Sequence, residues 1–331
     1  MTGVQTCALP IYFSWLRVCY VARVSLRGRR TRYYISGKTV KKIGVFHKLK
    51  APIDNTVMGE LVHWLRDRGY QVCMDRDTAA LIDESSPYER DDIPQQADLL
   101  IVLGGDGTLL SVARIAHPYN IPILAVNLGS LGFLAEVPLP ELYPALENIL
   151  NGKFDVERRM LLNARLWRNG EKVEDCNVLN DVVINKGVVA RIVNLQVLVD
   201  NQYMTSYRAD GLIIATPTGS TAYSLAAGGP IIHPSLHMLA LSPICPFTLT
   251  NRPILIPDNS IIQVKLTTKN EDVHITLDGQ VGWEMRAADT LEIQKTKTTL
   301  KLVTAPGKNY YQTLRQKLNW GTPREEEDPR G

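Results

Sequence analysis

Residues 99–110 read Leu-Leu-Ile-Val-Leu-Gly-Gly-Asp-Gly-Thr-Leu-Leu, and one acid, Asp106, stands among three glycines. Five apolar residues, Leu99 to Leu103, have the length of a strand buried in a parallel sheet. Gly104, Gly105 and Gly107 let the backbone turn and come close to a ligand. Thr108 is placed to cap a helix that continues through Leu109, Leu110, Val112 and Ala113. A strand, a glycine loop and a helix N-terminus direct free N–H groups at one point and suit a phosphate. Gly104, Gly105, Gly107 and Thr108 therefore form a candidate phosphate-donor loop. A carboxylate is out of place beside a phosphate unless it handles a proton or a metal there. The plain alternative is an Asp-Gly turn with no chemistry.

Three further stretches carry chemistry. Arg208 to Pro230 combines Arg208 and Asp210 with small hydroxyl residues, Tyr223 and four glycines. Small residues admit a ligand, hydroxyls donate and accept, and an aromatic can stack on a base. Asn180-Asp181 leads into an apolar run and can cap a turn or bind a diol. Asp278-Gly279-Gln280 reads simply as a hairpin turn. The six histidines show no ligand spacing, and no Ser-His-Asp or Cys-His grouping emerges.

These residues need elements to hold them. Ile43–Phe46, Tyr70–Met74, Leu99–Leu103 and Ile121–Val126 read as strands, with helices at 57–65 and 108–116 between them. That alternation predicts a parallel sheet, whose ligands sit at the carboxyl ends of the strands. Gly104–Thr108 falls there, and so does a second glycine loop, Asn127–Phe133. Leu139–Leu150 reads as a helix. From Met160 the pattern becomes short β-rich runs: Met160–Trp167, Val178–Ile184, Ile192–Val199, Gly211–Ala215, Ile261–Leu266, Val273–Leu277, Thr290–Ile293 and Leu300–Val303. These predict an antiparallel β domain. Tyr310–Trp320 reads as helix.

The net charge of +3 conceals an asymmetry. Residues 1–53 carry eleven basic and no acidic residues, which leaves 26 basic against 34 acidic in the remainder. The body is mildly acidic and gives no reason to expect nucleic acid. No apolar run suggests a membrane helix. Five scattered cysteines without a CxxC pair suggest a reducing cytoplasm. Residues 1–39 read as an extension outside the fold, non-native or disordered, and 322–331 as a disordered tail.

From about Lys41 to Trp320 the chain resembles the bacterial NAD kinase family. Gly104–Thr108 alone is shared, in related form, with diacylglycerol and sphingosine kinases and phosphofructokinases. The likeness becomes specific with Asn127–Phe133, Asn180-Asp181, Thr216–Leu225, Gly228-Gly229-Pro230 and the terminal Tyr310, Tyr311, Leu314 and Trp320. It implies an α/β Rossmann-like parallel-sheet domain (40–138) and a C-terminal antiparallel β-sandwich that binds NAD (139–304). A segment, 305–321, would return to the first domain. The implied reaction moves the γ-phosphoryl of ATP, or a phosphoryl of polyphosphate, to the 2′-hydroxyl of the adenosine ribose of NAD, with Mg²⁺ or another divalent ion. By resemblance Asp106 is the catalytic acid/base and contacts the ribose with Gly107. Asn180, Asp181, Arg191, Arg208, Asp210, Thr221, Ala222, Tyr223, Ser224, Leu225, Ala226 and Gln280 match NAD-binding positions. Many relatives carry Glu at position 181, so the shorter Asp would shift that contact. No metal-ligating side-chain set is expected, and the family implies a homodimer or homotetramer. Two other readings are a GGDG-type kinase for a lipid or sugar and a non-catalytic NAD(P)-binding regulator.

Overall fold

A computed structural model describes residues 40–48, 55–129, 131–187, 192–268, 272–304 and 309–320. The expected extension 1–39, the tail 322–331 and Arg191 lie outside the described residues. The first half runs β1 (Lys42–His47), α1 (Asn55–Asp67), β2 (Gln71–Met74), α2 (Arg76–Ala80), α3 (Ile93–Gln96), β3 (Leu99–Leu103), α4 (Asp106–Ala116), β4 (Pro122–Asn127), β5 (Val137–Pro138) and α5 (Leu142–Leu150). Here β2, β1, β3 and β4 lie side by side and parallel. All five residues of β3 are buried, because helices cover both faces. Each such side chain contributes on the order of 1.5–3 kcal/mol through burial.

The second half runs β6 (Asp155–Arg168), β7 (Glu171–Val178), β8 (Asp181–Lys186), β9 (Val193–Val199), β10 (Gln202–Ala209), β11 (Gly211–Ala215), α6 (Tyr223–Ala226), β12 (Met238–Ile244) and β13 (Ile254–Pro257). It closes with β14 (Ile262–Leu266), β15 (Val273–Leu277), β16 (Val281–Met285), β17 (Thr290–Thr304) and α7 (Tyr310–Leu318). One sheet orders β13-β12-β11-β8-β15-β16, all antiparallel. It packs face to face with an antiparallel sheet that includes β9, β14, β17 and β6. Val182, Ile184, Leu212 and Ile214 from one side and Leu195, Val264 and Leu291 from the other share one core. The Rossmann-like half and the β-sandwich are both present.

The two halves are stitched together by β17. The runs expected at Thr290–Ile293 and Leu300–Val303 are one strand, which pairs with β6 along both ends. Its second end also pairs in parallel with β4, through Lys301–Pro122 and Leu302–Ile123. The parallel sheet therefore continues into the sandwich. The run expected at Val178–Ile184 is instead a corner: β7 ends at Val178 and β8 begins at Asp181. The N–H groups of Leu179, Asn180 and Asp181 turn out of register there to a side chain described below.

Candidate active site

Asp106 opens α4 at the carboxyl end of β3. The preceding strand is pinned on both sides, since Lys48 N donates to Leu103 O and Gly104 N donates to Val126 O. The N-cap is Gly105, not Thr108. Thr108 lies inside the first turn, and its side chain packs over Gly104, where a β-carbon would meet Thr108 Oγ1 at 2.4 Å. The helix starts early because Asp106 turns its carboxylate away toward the loop after β4. Phe133 N donates to Oδ2 at 2.9 Å, and Leu134 N and Ala135 N donate to Oδ1, each at 3.0 Å. Gly132 makes room for this contact. The second glycine loop thus grips the catalytic candidate. A carboxylate offers about four lone-pair sites, so three bonds leave about one for a hydroxyl.

On one side of Asp106 is a cavity of about 350 Å³ lined by Lys48, Arg90, Gly105, Gly107, Thr108 and Ser111. The helix N-terminus and two cations converge on it, which makes it an anion site. Arg90 is held in place by Asp75 at 3.0 Å, and its guanidinium lies over the Phe46 ring at 4.9 Å. Asp75 is fixed in turn by the Thr78 N–H at 2.7 Å. Neither Lys48 nor Arg90 stands in a motif, and sequence reasoning missed both.

A second cavity, of about 330 Å³, is lined by Asn180, Asp181, Val183, Asn185, Ala222, Tyr223, Thr276, Asp278 and Gly279. Asp278 organises it and is more than a turn residue. Its buried carboxylate accepts from Leu179 N at 2.9 Å, Asn180 N at 2.7 Å and Asp181 N at 3.2 Å. Burial pushes its pKa up, and the three amides partly offset this. Asp181 is buried beside it, and burial followed by the Asp278 charge raises its pKa to about 7. Thr216 clasps the same corner: its Oγ1 donates to Leu179 O, and its N–H donates to Asn180 O. Gly219 passes so close that a β-carbon would meet Asn180 O at 2.1 Å. Of the stretch Thr221–Ala226, Ala222 and Tyr223 line the cavity. Ser224 instead points inward to Ser242.

Gln280 joins the two sides: its Nε2 donates to Gly107 O at 2.7 Å. Arg208 and Asp210 are not brought to this place. Asp210 pairs with Lys186 at 2.9 Å, and the Arg208 guanidinium lies over Phe247 at 4.6 Å. Lys186 ends the strand that Asp181 begins, about 17 Å away at about 3.4 Å per residue.

Family models match both halves: the ATP-NAD kinase N-terminal domain at residues 43–154 and the ATP-NAD kinase C-terminal domain at 179–305. The NAD kinase of Geotalea daltonii is 52% identical, over 85% of this chain and 99% of its own length. That of Syntrophotalea carbinolica is 48% identical with the same coverage. The chain belongs to the NAD kinase family. As an NAD kinase it is a phosphotransferase with an alcohol acceptor. Yeast NADH kinase, solved with NADH, superposes with a TM-score of 0.80 at 26% identity, covering 87% of this chain and 90% of the other. An Archaeoglobus fulgidus NAD kinase, solved with ATP, shares the fold at a TM-score of 0.66 and 21% identity. Family membership sets aside the regulator and the lipid or sugar kinase.

Proposed function

We propose that this NAD kinase moves the γ-phosphoryl of ATP to the 2′-hydroxyl of the adenosine ribose of NAD, giving NADP. The observation that carries this reading is the bond from Gln280 Nε2 to Gly107 O. Gly107 walls the cationic cavity and Gly279, next to Gln280, walls the Asn180–Asp181 cavity, so this bond links the walls of the two. Donor phosphates lie against Lys48, Arg90 and the N–H groups of Gly105, Gly107 and Thr108. The dinucleotide lies against Asn180, Asp181, Ala222 and Tyr223. Phosphoryl transfer asks mainly for positioning and charge stabilisation. Asp106 supplies the positioning: its remaining lone pair accepts from the ribose hydroxyl and takes the proton as the new P–O bond forms. Lys48 and Arg90 take up charge on the phosphates.

No group of three or more His, Cys, Asp or Glu side chains converges among the described residues. A magnesium ion would be carried mainly by the nucleotide phosphates, and Asp106 would be the carboxylate beside it. That ion would supply charge neutralisation across the β- and γ-phosphates.

The chain acts as a homodimer or homotetramer. The distance of Arg208 and Asp210 from Asp181 supports their serving a dinucleotide that reaches beyond one protomer's cavity. Cys73, Cys176 and Cys245 carry free thiols, which supports a cytoplasmic setting. Among the described residues no helix is long and apolar enough to cross a membrane.

Incubation with NAD, ATP and Mg²⁺, followed by an NADP-specific dehydrogenase assay, tests the reading. NADP forms at a rate proportional to enzyme; its absence at saturating substrates sinks the proposal.

A further inference from the structure

Arg114 belongs to no motif, yet it is tied to the reacting helix. Gly107 and Arg114 are seven residues apart on α4 and so share one face. The Arg114 side chain reaches back toward the helix N-terminus, as long helical side chains do. Its Nη2 donates to Gln280 Oε1 at 3.0 Å, while Gln280 Nε2 donates to Gly107 O at 2.7 Å. The amide can stand only this way round, since a guanidinium only donates and a carbonyl only accepts. Gln280 is itself fixed, because its N–H donates to Leu277 O beside the Asp278 turn. The Arg114 Nε is buried and has no partner among the described residues. Such a group costs free energy where it sits. The bond to Gln280 turns the guanidinium to the sandwich half; there burial raises the pKa of Asp278 and of the Cys176 thiol, and the Arg114 charge offsets part of each rise.

We propose that Arg114 is a positioning residue: through the Gln280 amide it fixes the Gly107 carbonyl, and with it Asp106, against the turn that carries the Asn180–Asp181 cavity. The inference rests on the reading of Asp106 given above. Donor and acceptor are bound by different halves of the chain, and this bridge sets their registry. Loss of the bridge leaves each half able to bind its substrate. What suffers is alignment, and a displacement of an ångström in a reacting group costs on the order of 100-fold in rate.

The test is a double-mutant cycle in kcat, with R114L, Q280A and the double variant measured at saturating ATP and NAD. R114L is expected to lower kcat about tenfold or more while KM for ATP and NAD moves less than about threefold. The double variant is expected to be no slower than the slower single variant, because both act through one amide. R114K, which still donates to Oε1, is expected to recover part of the rate. Losses that multiply in the double variant overturn the proposal. So does unchanged kcat in R114L, or a change confined to KM. If R114L does not fold, R114M, which keeps more of the aliphatic stem and also lacks the donor, takes its place in the cycle with Q280A. Absence of NADP from the wild-type enzyme would be a failure of the reaction assignment instead, and is distinguished by running it alongside.

Discussion

Gly132 lies against the Asp106 carboxylate so closely that a β-carbon on it would fall 2.1 Å from Oδ1. That distance is far inside van der Waals contact, and no rotation of an alanine methyl relieves it. Either the loop or the carboxylate must move, and the bonds from Phe133, Leu134 and Ala135 go with it. Gly132→Ala is therefore expected to lower kcat on the order of 100-fold, because it displaces the carboxylate proposed to hold the nucleophile. Steady-state kinetics check this. A variant with normal kcat would show that Asp106 needs no such seat.

Asp106→Asn keeps the size and removes the base. One of its two ends becomes an NH₂ group and faces a backbone N–H where an oxygen was accepting. The proton acceptor is gone, and general-base loss costs about 10²- to 10⁴-fold. On the proposed reading NAD is held mainly from the Asn180–Asp181 side, so its Kd is expected to change less than about threefold. Calorimetric titration with NAD, alongside turnover, separates the two effects. Turnover close to wild type would remove Asp106 from the mechanism.

The glycine loop at Asp106 was legible because its chemistry is local: strand, turn and helix follow in twelve residues. The buried strands β3 and β4 were legible because both faces are covered, so they read as unbroken apolar runs. Strands β7 and β10 were not, since Glu171–Val178 is largely solvent-facing and Gln202–Ala209 alternates exposed and buried positions only over its last four residues. Asp278 was read as a hairpin turn because its partners, Leu179 to Asp181, lie nearly a hundred positions earlier. Lys48 and Arg90 gave no signal because a single cation has no spacing. Arg208 and Asp210 show the converse: one polar stretch in sequence is drawn by β11 to opposite ends of a sheet.

Asp181 makes stability fall as pH rises. Its carboxyl has an ordinary value of 3.8 and sits at about 7 in the folded chain. Below 3.8 both states are protonated. Between 3.8 and about 7 the unfolded chain has released this proton and the folded one has not, so the unfolded state binds fewer protons and loses less by ionising. The contribution is fully present below the unfolded pKa and is lost as pH climbs through the folded one. His47, His117 and His233, whose pKa values burial lowers, act in the opposite sense. Asp181→Asn removes the Asp181 slope and leaves those of the histidines and of Asp278, whose pKa burial also raises. Urea unfolding at about pH 4 and about pH 7.5, close to the two ends of Asp181's window, is expected to show a smaller loss of stability with pH in the variant. Equal losses in the two proteins would refute the assignment.

Lys48 and Arg90 are expected to act on the donor alone. A hydrogen bond to a charged group contributes about 1.5–3 kcal/mol, so Lys48→Met or Arg90→Met raises KM for ATP about tenfold or more. KM for NAD is expected to stay within about threefold, since neither residue lines the cavity proposed to take the acceptor. Arg90→Met also orphans Asp75, which is buried, and so lowers the melting temperature. Lys48 is exposed and its loss leaves stability unchanged. A rise in KM for NAD with none for ATP would reverse the assignment of the two cavities.

Asp278→Asn separates what the Asp278 carboxylate gives from what its charge costs. One of its oxygens serves Asn180 and Asp181, and the other serves Leu179. An asparagine can keep the first pair, but its NH₂ group then faces the Leu179 N–H. A buried amide left unpaired costs about 1–3 kcal/mol. The same change removes a negative charge from beside Asp181. At pH 5 Asp181 is protonated, no repulsion exists to relieve, and the full cost appears. At pH 8 it is ionised in the wild-type protein, and relief of the repulsion offsets part of the cost. Unfolding free energies at the two pH values are therefore expected to show the variant less stable at both, by a smaller margin at pH 8. A margin that is equal or larger at pH 8 would mean the two carboxylates do not feel one another, and Asp181 would then owe its raised pKa to burial alone.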